Sequence, residues 1–232
     1  MIHAGWCAMR GRQFRIPMWW AALLPLALLA APGCFTYSSY QSARIVERGE
    51  PQVTFAVSNS NIEGENAEAG GWLAFEACLR SGIAKRFDAS AMLSIFQSVP
   101  ENFGAAVVTV DVRAGIIENY LAFALPVAIT VGDLYFASLR MQPGLVATVP
   151  LGTKFEITGA VRAHTFVRVP ELFAMGYNIG LGIRTESGRL TVRPEVGWMK
   201  FREAENGQGY FQYGLGLEFG SPKRKADTER GS

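Results

Sequence analysis

The stretch "AVVTVDVRA" (residues 106–114) puts Val108, Val110 and Val112 on one parity and Thr109, Asp111 and Arg113 on the other. Successive side chains of an extended chain leave opposite faces, so this segment reads as a strand with one apolar and one polar face. The same period recurs along the chain. In "PQVTFAVSN" (51–59) Val53, Phe55 and Val57 oppose Thr54, Ala56 and Ser58. In "WLAFEACLR" (72–80) Leu73, Phe75, Ala77 and Leu79 oppose Glu76 and Arg80. Phe87, Ala89, Ala91, Leu93 and Ile95 then oppose Asp88, Ser90 and Ser94, and Leu121 to Val131 alternates with Ala122, Ala124, Ala128 and Thr130. Tyr135, Ala137, Leu139 and Met141 oppose Ser138, Arg140 and Gln142. Phe155, Ile157, Val161 and Ala163 oppose Glu156, Thr158, Arg162 and His164. Phe173 to Ile183 opposes Asn178, Gly180, Gly182 and Arg184; Leu190, Val192, Val196 and Trp198 oppose Thr191, Arg193 and Glu195. Finally Phe211, Tyr213, Leu215, Leu217 and Phe219 oppose Gln212, Gly214, Gly216 and Glu218.

What the apolar face excludes decides the architecture. None of its positions is charged, whereas the other face takes Arg, Glu, Asp, Gly and Ala freely. A Lys or Arg facing lipid at the midplane costs about 2–4 kcal/mol, and small residues between charged ones suit a narrow interior. A soluble barrel or sandwich would alternate too, but its outer polar face would be rich in Lys; here Lys occurs only at Lys85, Lys154, Lys200, Lys223 and Lys225. Arg predominates instead, as expected where charge is partly buried and held by several hydrogen bonds. The predicted fold is all-β: a closed, antiparallel, up-and-down transmembrane β-barrel of about ten strands over residues 50–220, with eight or twelve as the alternative counts. The net charge of +2 gives no sign of a nucleic-acid partner.

With both ends of the chain on the periplasmic side, the periplasmic turns are "SGIAK", "GIIEN", "PLGT" and "ESG", all short. The outer loops are "NIEGENAEAGG", "QSVPENFG", "VGD", "VRVPEL" and "REAENGQG", mostly longer and polar, the asymmetry that membrane barrels show. Pro126 and Pro194 fall inside strands and require a bulge or a missing ladder bond. Residues 221–232, "SPKRKADTERGS", read as a polar, disordered tail.

The first part of the chain reads differently. Arg10, Arg12 and Arg15 precede an apolar run from Met18 to Ala31, the n-region and h-region of an export signal. The run is short of the about 20 apolar residues that a spanning helix needs. Ala30-Ala31-Pro32-Gly33 leads directly into Cys34, which resembles the lipobox of bacterial lipoproteins, although Ala31 stands where that family prefers Leu. The resemblance implies cleavage after residue 33, lipid attachment at Cys34, handling by the lipoprotein-processing machinery and, with Phe35 rather than Asp after the cysteine, an outer-membrane destination. Residues 34–49 are then expected to be a periplasmic linker. Cys78, with Cys7 lost in the leader, offers no disulfide framework and reads as a partly buried thiol.

The closing segment "QYGLGLEF" resembles the signal that the outer-membrane barrel-assembly machinery recognises, with Gln212, Gly214, Leu217 and Phe219 in its places. A tail follows Phe219, where many members end on the aromatic residue. "FEACLRSGIAKRFDASAML" likewise resembles a hairpin common in bacterial outer-membrane barrels. Outer-membrane lipids and the assembly machinery are the partners this resemblance implies; it attaches no activity and leaves the oligomeric state open.

Within the barrel, Glu76, Asp88, Asp111, Glu156, Glu195 and Glu218 can meet Arg80, Arg113, Arg140, Arg162, Arg184, Arg189 and Arg193. An unpaired buried charge is costly, so these are expected to form a lumen charge network that leaves a ten-stranded barrel mostly closed. No metal spacing and no cofactor motif is present, and no catalytic residue is assigned. The expected function is that of a lipid-anchored outer-membrane barrel of a Gram-negative-type bacterium with a structural, adhesive or binding role. The alternatives are a narrow channel for small polar solutes, a barrel hydrolase using His164, and a soluble lipocalin-like lipoprotein.

Overall fold

The computed structural model describes residues 40–63, 71–98, 104–132, 139–167, 169–202 and 209–220. Eleven strands form one antiparallel sheet closed on itself. They are β1 (Gln52–Glu63), β2 (Gly71–Ala84), β3 (Phe87–Ser98), β4 (Gly104–Ile117), β5 (Leu121–Gly132), β6 (Leu139–Met141), β7 (Gly144–Leu151), β8 (Phe155–Phe166), β9 (Val169–Arg184), β10 (Leu190–Phe201) and β11 (Gly209–Phe219). β1 to β5 pair in sequence order, β6 and β7 both lie between β5 and β8, β8 to β11 pair in sequence order, and β1 pairs with β11 to complete the ring.

The barrel has ten staves because β6 and β7 are one stave. Val127 pairs with Met141 and Ala124 with Gly144, one register interrupted only at Gln142-Pro143. Both prolines flagged in the sequence sit at such interruptions. Gln142 N donates to Pro126 O at 2.8 Å, so Pro126, which has no N–H, faces the break between β6 and β7. Beside Pro194 the β9–β10 pairing lapses between Val192↔Ile183 and Glu195↔Gly180 and resumes in the same register. A locally missing bond, without an added residue, accommodates each ring.

Two expectations change here. The sixth strand, placed at Tyr135–Gln142 with a turn at "PLGT", continues through Gly144–Leu151; the prolines at 143 and 150 disguised it as irregular. The outer loop expected at Val167–Leu172 is mostly strand, since β9 begins at Val169. The tight turns at residues 85–86, 118–120, 152–154 and 185–189 all lie at one end of the barrel, the turn end, with Asn119, Gly152 and Gly188 at positive φ. The leader with Cys34, most of the outer loops and the tail fall outside the described residues.

Side-chain direction follows the period-two reading. Phe75 is 50% exposed, Val110 53% and Phe55 53%, whereas Arg80 is 2% and Arg193 3% exposed. Phe75, Val110, Ile157 and Leu217 share no common centre; they stand on the outer wall, where acyl chains cover them.

The interior changes character along its length. Toward the loop end Trp72, Phe96 and Val107 pack together with inward alanines, and Met199 packs with Ala174, Phe166 and Tyr210. Toward the turn end the lining is charged.

Candidate functional site

The lumen is the site, and its charged half is built by inward positions of successive strands. Of the residues expected in the charge network, Glu76, Arg80, Asp88, Asp111, Arg113, Arg140, Glu156, Arg162, Arg193, Glu195 and Glu218 are buried, and Arg184 is half-buried. On β2 and β3, Arg80 forks onto Asp88, with Nε to Oδ1 at 3.0 Å and Nη2 to Oδ2 at 2.6 Å. On β4, two residues apart on the same face, Arg113 Nε donates to Asp111 Oδ2 at 2.7 Å. Arg193 on β10 bridges two acids, donating from Nη2 to Glu156 at 2.5 Å and from Nε to Glu218 at 3.1 Å. Arg184 on β9 adds a fourth strand, 3.0 Å from Glu156. Arg140 donates to Thr130 Oγ1 at 3.3 Å, and the charged neighbours of Arg162 include Asp111, Glu195 and Glu76. Arg189 does not join: it lies exposed in the turn at residues 185–189, outside the ladder.

The lumen also holds a segment that forms no strand and that no alternation in the sequence marks. Tyr40, Gln41, Ser42, Ala43, Arg44 and Val46 are all buried, inside the barrel. The expectation of a periplasmic linker over residues 34–49 therefore does not hold for residues 40–46; the exposed stretch before β1 is residues 47–51. The physical reason is a wall left bare for them. A Cβ at Gly216 would stand 2.7 Å from Tyr40 Cβ, one at Gly115 2.9 Å from Ile45 Cγ1, and one at Gly82 2.2 Å from Val46 O. Ala43 packs against the inward alanines Ala122 and Ala124 and against Val146.

Charge holds the segment as well. Arg44 Nη2 lies 2.7 Å from Glu156 Oε2, so that one carboxylate receives Arg44, Arg184 and Arg193. Glu195 takes the Nδ2 of Asn178 on one oxygen and the main-chain N–H of Tyr40 on the other, the latter at 2.9 Å. Gln41 Nε2 meets the buried thiol of Cys78 at 2.9 Å. What space is left between Gln41, Cys78, Asp111, Arg113 and Arg162 is about 20 Å³, room for about one water. A hollow of about 870 Å³ exists elsewhere, lined largely by outward residues such as Val57, Leu73, Ile179 and Leu215; it is part of the lipid-facing wall.

His164 is fully buried on β8, and neither ring nitrogen has a hydrogen-bond partner among the described residues. Its charged neighbours are Arg140 and Arg162. Catalysis by this residue would need an orienting acid in reach, and its charged neighbours among the described residues are the two arginines. No group of metal-ligating side chains occurs among the described residues. On β11, Gln212 is buried, while Leu217 and Phe219 face outward, with the Phe219 ring edge-on to Phe55 across the closing seam at 6.3 Å. Gly214 lies against Tyr40 and Ser58.

No known protein family and no curated protein matches the chain by sequence. Among solved structures, the translocator domain of the autotransporter NalP from Neisseria meningitidis is similar at 8% identity and a TM-score of 0.49, covering 75% of this chain and 90% of that one. An outer membrane channel from Pseudomonas putida F1 is similar at 9% identity and a TM-score of 0.43, over 80% of this chain and 99% of that one. The KdgM porin is similar at 8% identity and a TM-score of 0.42, over 72% and 98%. At such identities and TM-scores these proteins say nothing of this chain's activity. Its own strand pairing and outward apolar face make it a closed, antiparallel, ten-stranded transmembrane β-barrel, with no helix among the described residues.

Proposed function

We propose that the protein is a bacterial outer-membrane barrel, lipid-anchored at Cys34, with a structural, adhesive or binding role in the cell envelope and no open pore. The observation that carries this reading is the filled lumen: ion pairs and residues 40–46 occupy the turn end, and aromatic and aliphatic side chains occupy the loop end. The fold class supports an outer-membrane address, because closed barrels with short turns at one end are the spanning solution used there. The barrel-assembly machinery would engage Gln212, Gly214, Leu217 and Phe219, and both chain ends would face the periplasm. Five residues lie between Cys34 and Tyr40, so at most about 20 Å of extended chain would link the anchor to the barrel interior.

The test is reconstitution of the purified protein in planar lipid bilayers, with heat-modifiable migration in detergent gels as the check on folding. A folded barrel with no steady conductance agrees with the proposal. A stable ohmic current from the folded protein would replace it with the channel reading, and unchanged gel mobility together with a soluble periplasmic pool would refute the membrane assignment.

A further inference from the structure

The lumen holds residues 40–46 mainly by their main chain. Three N–H groups donate into the wall: Tyr40 to Glu195 at 2.9 Å, Ala43 to Thr148 Oγ1 at 2.8 Å and Val46 to Asp88 Oδ2 at 3.0 Å. Two carbonyls accept from it. Ser42 O receives Arg80 at 3.4 Å and Arg113 at 3.3 Å, and Arg44 O receives Arg80 at 2.5 Å. Recognition of a peptide by main-chain bonds, with pockets for selected side chains, is how strand-like ligands are usually bound; here side chains of the wall replace a sheet edge. Two pockets select. The bare patch at Gly214 and Gly216 receives the Tyr40 ring, and Glu156 receives Arg44 at 2.7 Å.

We infer that the turn-end lumen is a peptide-binding site whose resident ligand is the chain's own Tyr40–Val46, a removable plug. The ligand class is a short peptide with an aromatic residue and an arginine four positions later. The inference rests on the closed-lumen reading above. The wall donors and acceptors belong to β2, β3, β4, β7, β8 and β10, so the site is complete without residues 40–46. The exposed stretch Glu47–Glu50 is the tether between plug and barrel.

A specific protease site inserted between Arg48 and Gly49 lets the full-length barrel fold first and then be cut, leaving the plug held by noncovalent contacts alone. A fluorescent synthetic peptide of residues 38–48 is then added in detergent, and uptake is read by anisotropy. The cut barrel should take up the peptide and the uncut barrel should not. Peptides carrying Arg44→Ala or Tyr40→Ala should bind at least about tenfold more weakly, the equivalent of about 1.4 kcal/mol. No uptake by the cut barrel, or equal uptake of a scrambled peptide, overturns the inference. Bilayer recording of the uncut barrel keeps the two readings apart. A current there sinks the closed lumen, whereas a silent uncut barrel with no exchange after cutting sinks only the removable plug.

Discussion

Glu156→Gln is the substitution that loads the lumen most sharply. Glu156 is 2% exposed and receives Arg44 at 2.7 Å, Arg184 at 3.0 Å and Arg193 at 2.5 Å. Glutamine is nearly the same size, so the change removes charge without opening a cavity. Breaking a buried ion pair from one side costs about 3–5 kcal/mol, because the partner stays charged and desolvated. Arg193 keeps Glu218 at 3.1 Å, which puts the expected loss at the lower end, about 3 kcal/mol. The assay is urea unfolding of the barrel in lipid vesicles, followed by tryptophan fluorescence. Arg44→Met in the parent should cost about 1 kcal/mol, since Glu156 retains two arginines. In the Glu156→Gln background the same substitution should be neutral or stabilising, because it removes a cation that has lost its acid. A Glu156→Gln barrel within about 1 kcal/mol of the parent, or an Arg44→Met cost that is equal in both backgrounds, would refute a lumen held by this carboxylate.

Three further outcomes are expected. Val110→Arg, on the outer wall, should destabilise the barrel in vesicles by about 2–4 kcal/mol; no loss would mean that this face does not meet lipid. Gly216→Ala should cost about 1–3 kcal/mol by crowding Tyr40, and adding Tyr40→Gly should recover most of it; failure of the second change to rescue would place the ring elsewhere. Cys34→Ala should abolish metabolic labelling by palmitate, and persistent labelling would refute the anchor.

The wall was legible in the sequence because lipid is an unforgiving solvent. A charge at Phe75, Val110 or Leu217 is costly, so parity alone separates outward from inward residues and places Arg80, Glu156 and Arg193 in the lumen. Parity works only where a ladder exists. It could not place residues 40–46, which form no strand, and the polar run "SSYQSARIVERGE" (38–50) reads as a linker. Arg44 was missed for the same reason, and Arg189 was overcounted because its turn lies beyond the ladder. The stave broken at Gln142-Pro143 hid because Pro143, Gly144 and Pro150 are turn residues locally; only the conserved sum of the β5–β6 and β5–β7 registers shows one continuous strand. The apolar filling by Trp72, Phe96 and Met199 was written at inward parity but lay beyond the charged stretches on which the reading concentrated.

One trace of the plug was nevertheless present in the composition of the lumen face. A ten-stranded barrel is only a little wider than one that side chains fill, yet its closing strand offers Gly214 and Gly216 inward. Their partners across the seam are Ser58 and Ala56, so the place where the first and last strands meet has almost no inner lining of its own. Tyr40 supplies it. The residue that lines the seam comes from the segment immediately preceding β1, and Glu195 on the neighbouring β10 fixes its main-chain N–H. Glycines that look like part of a closing-strand signal therefore have a second physical reason to be small. A side chain at Gly216 would compete with the Tyr40 ring for the same volume, and closure of the barrel and seating of the plug become one packing event.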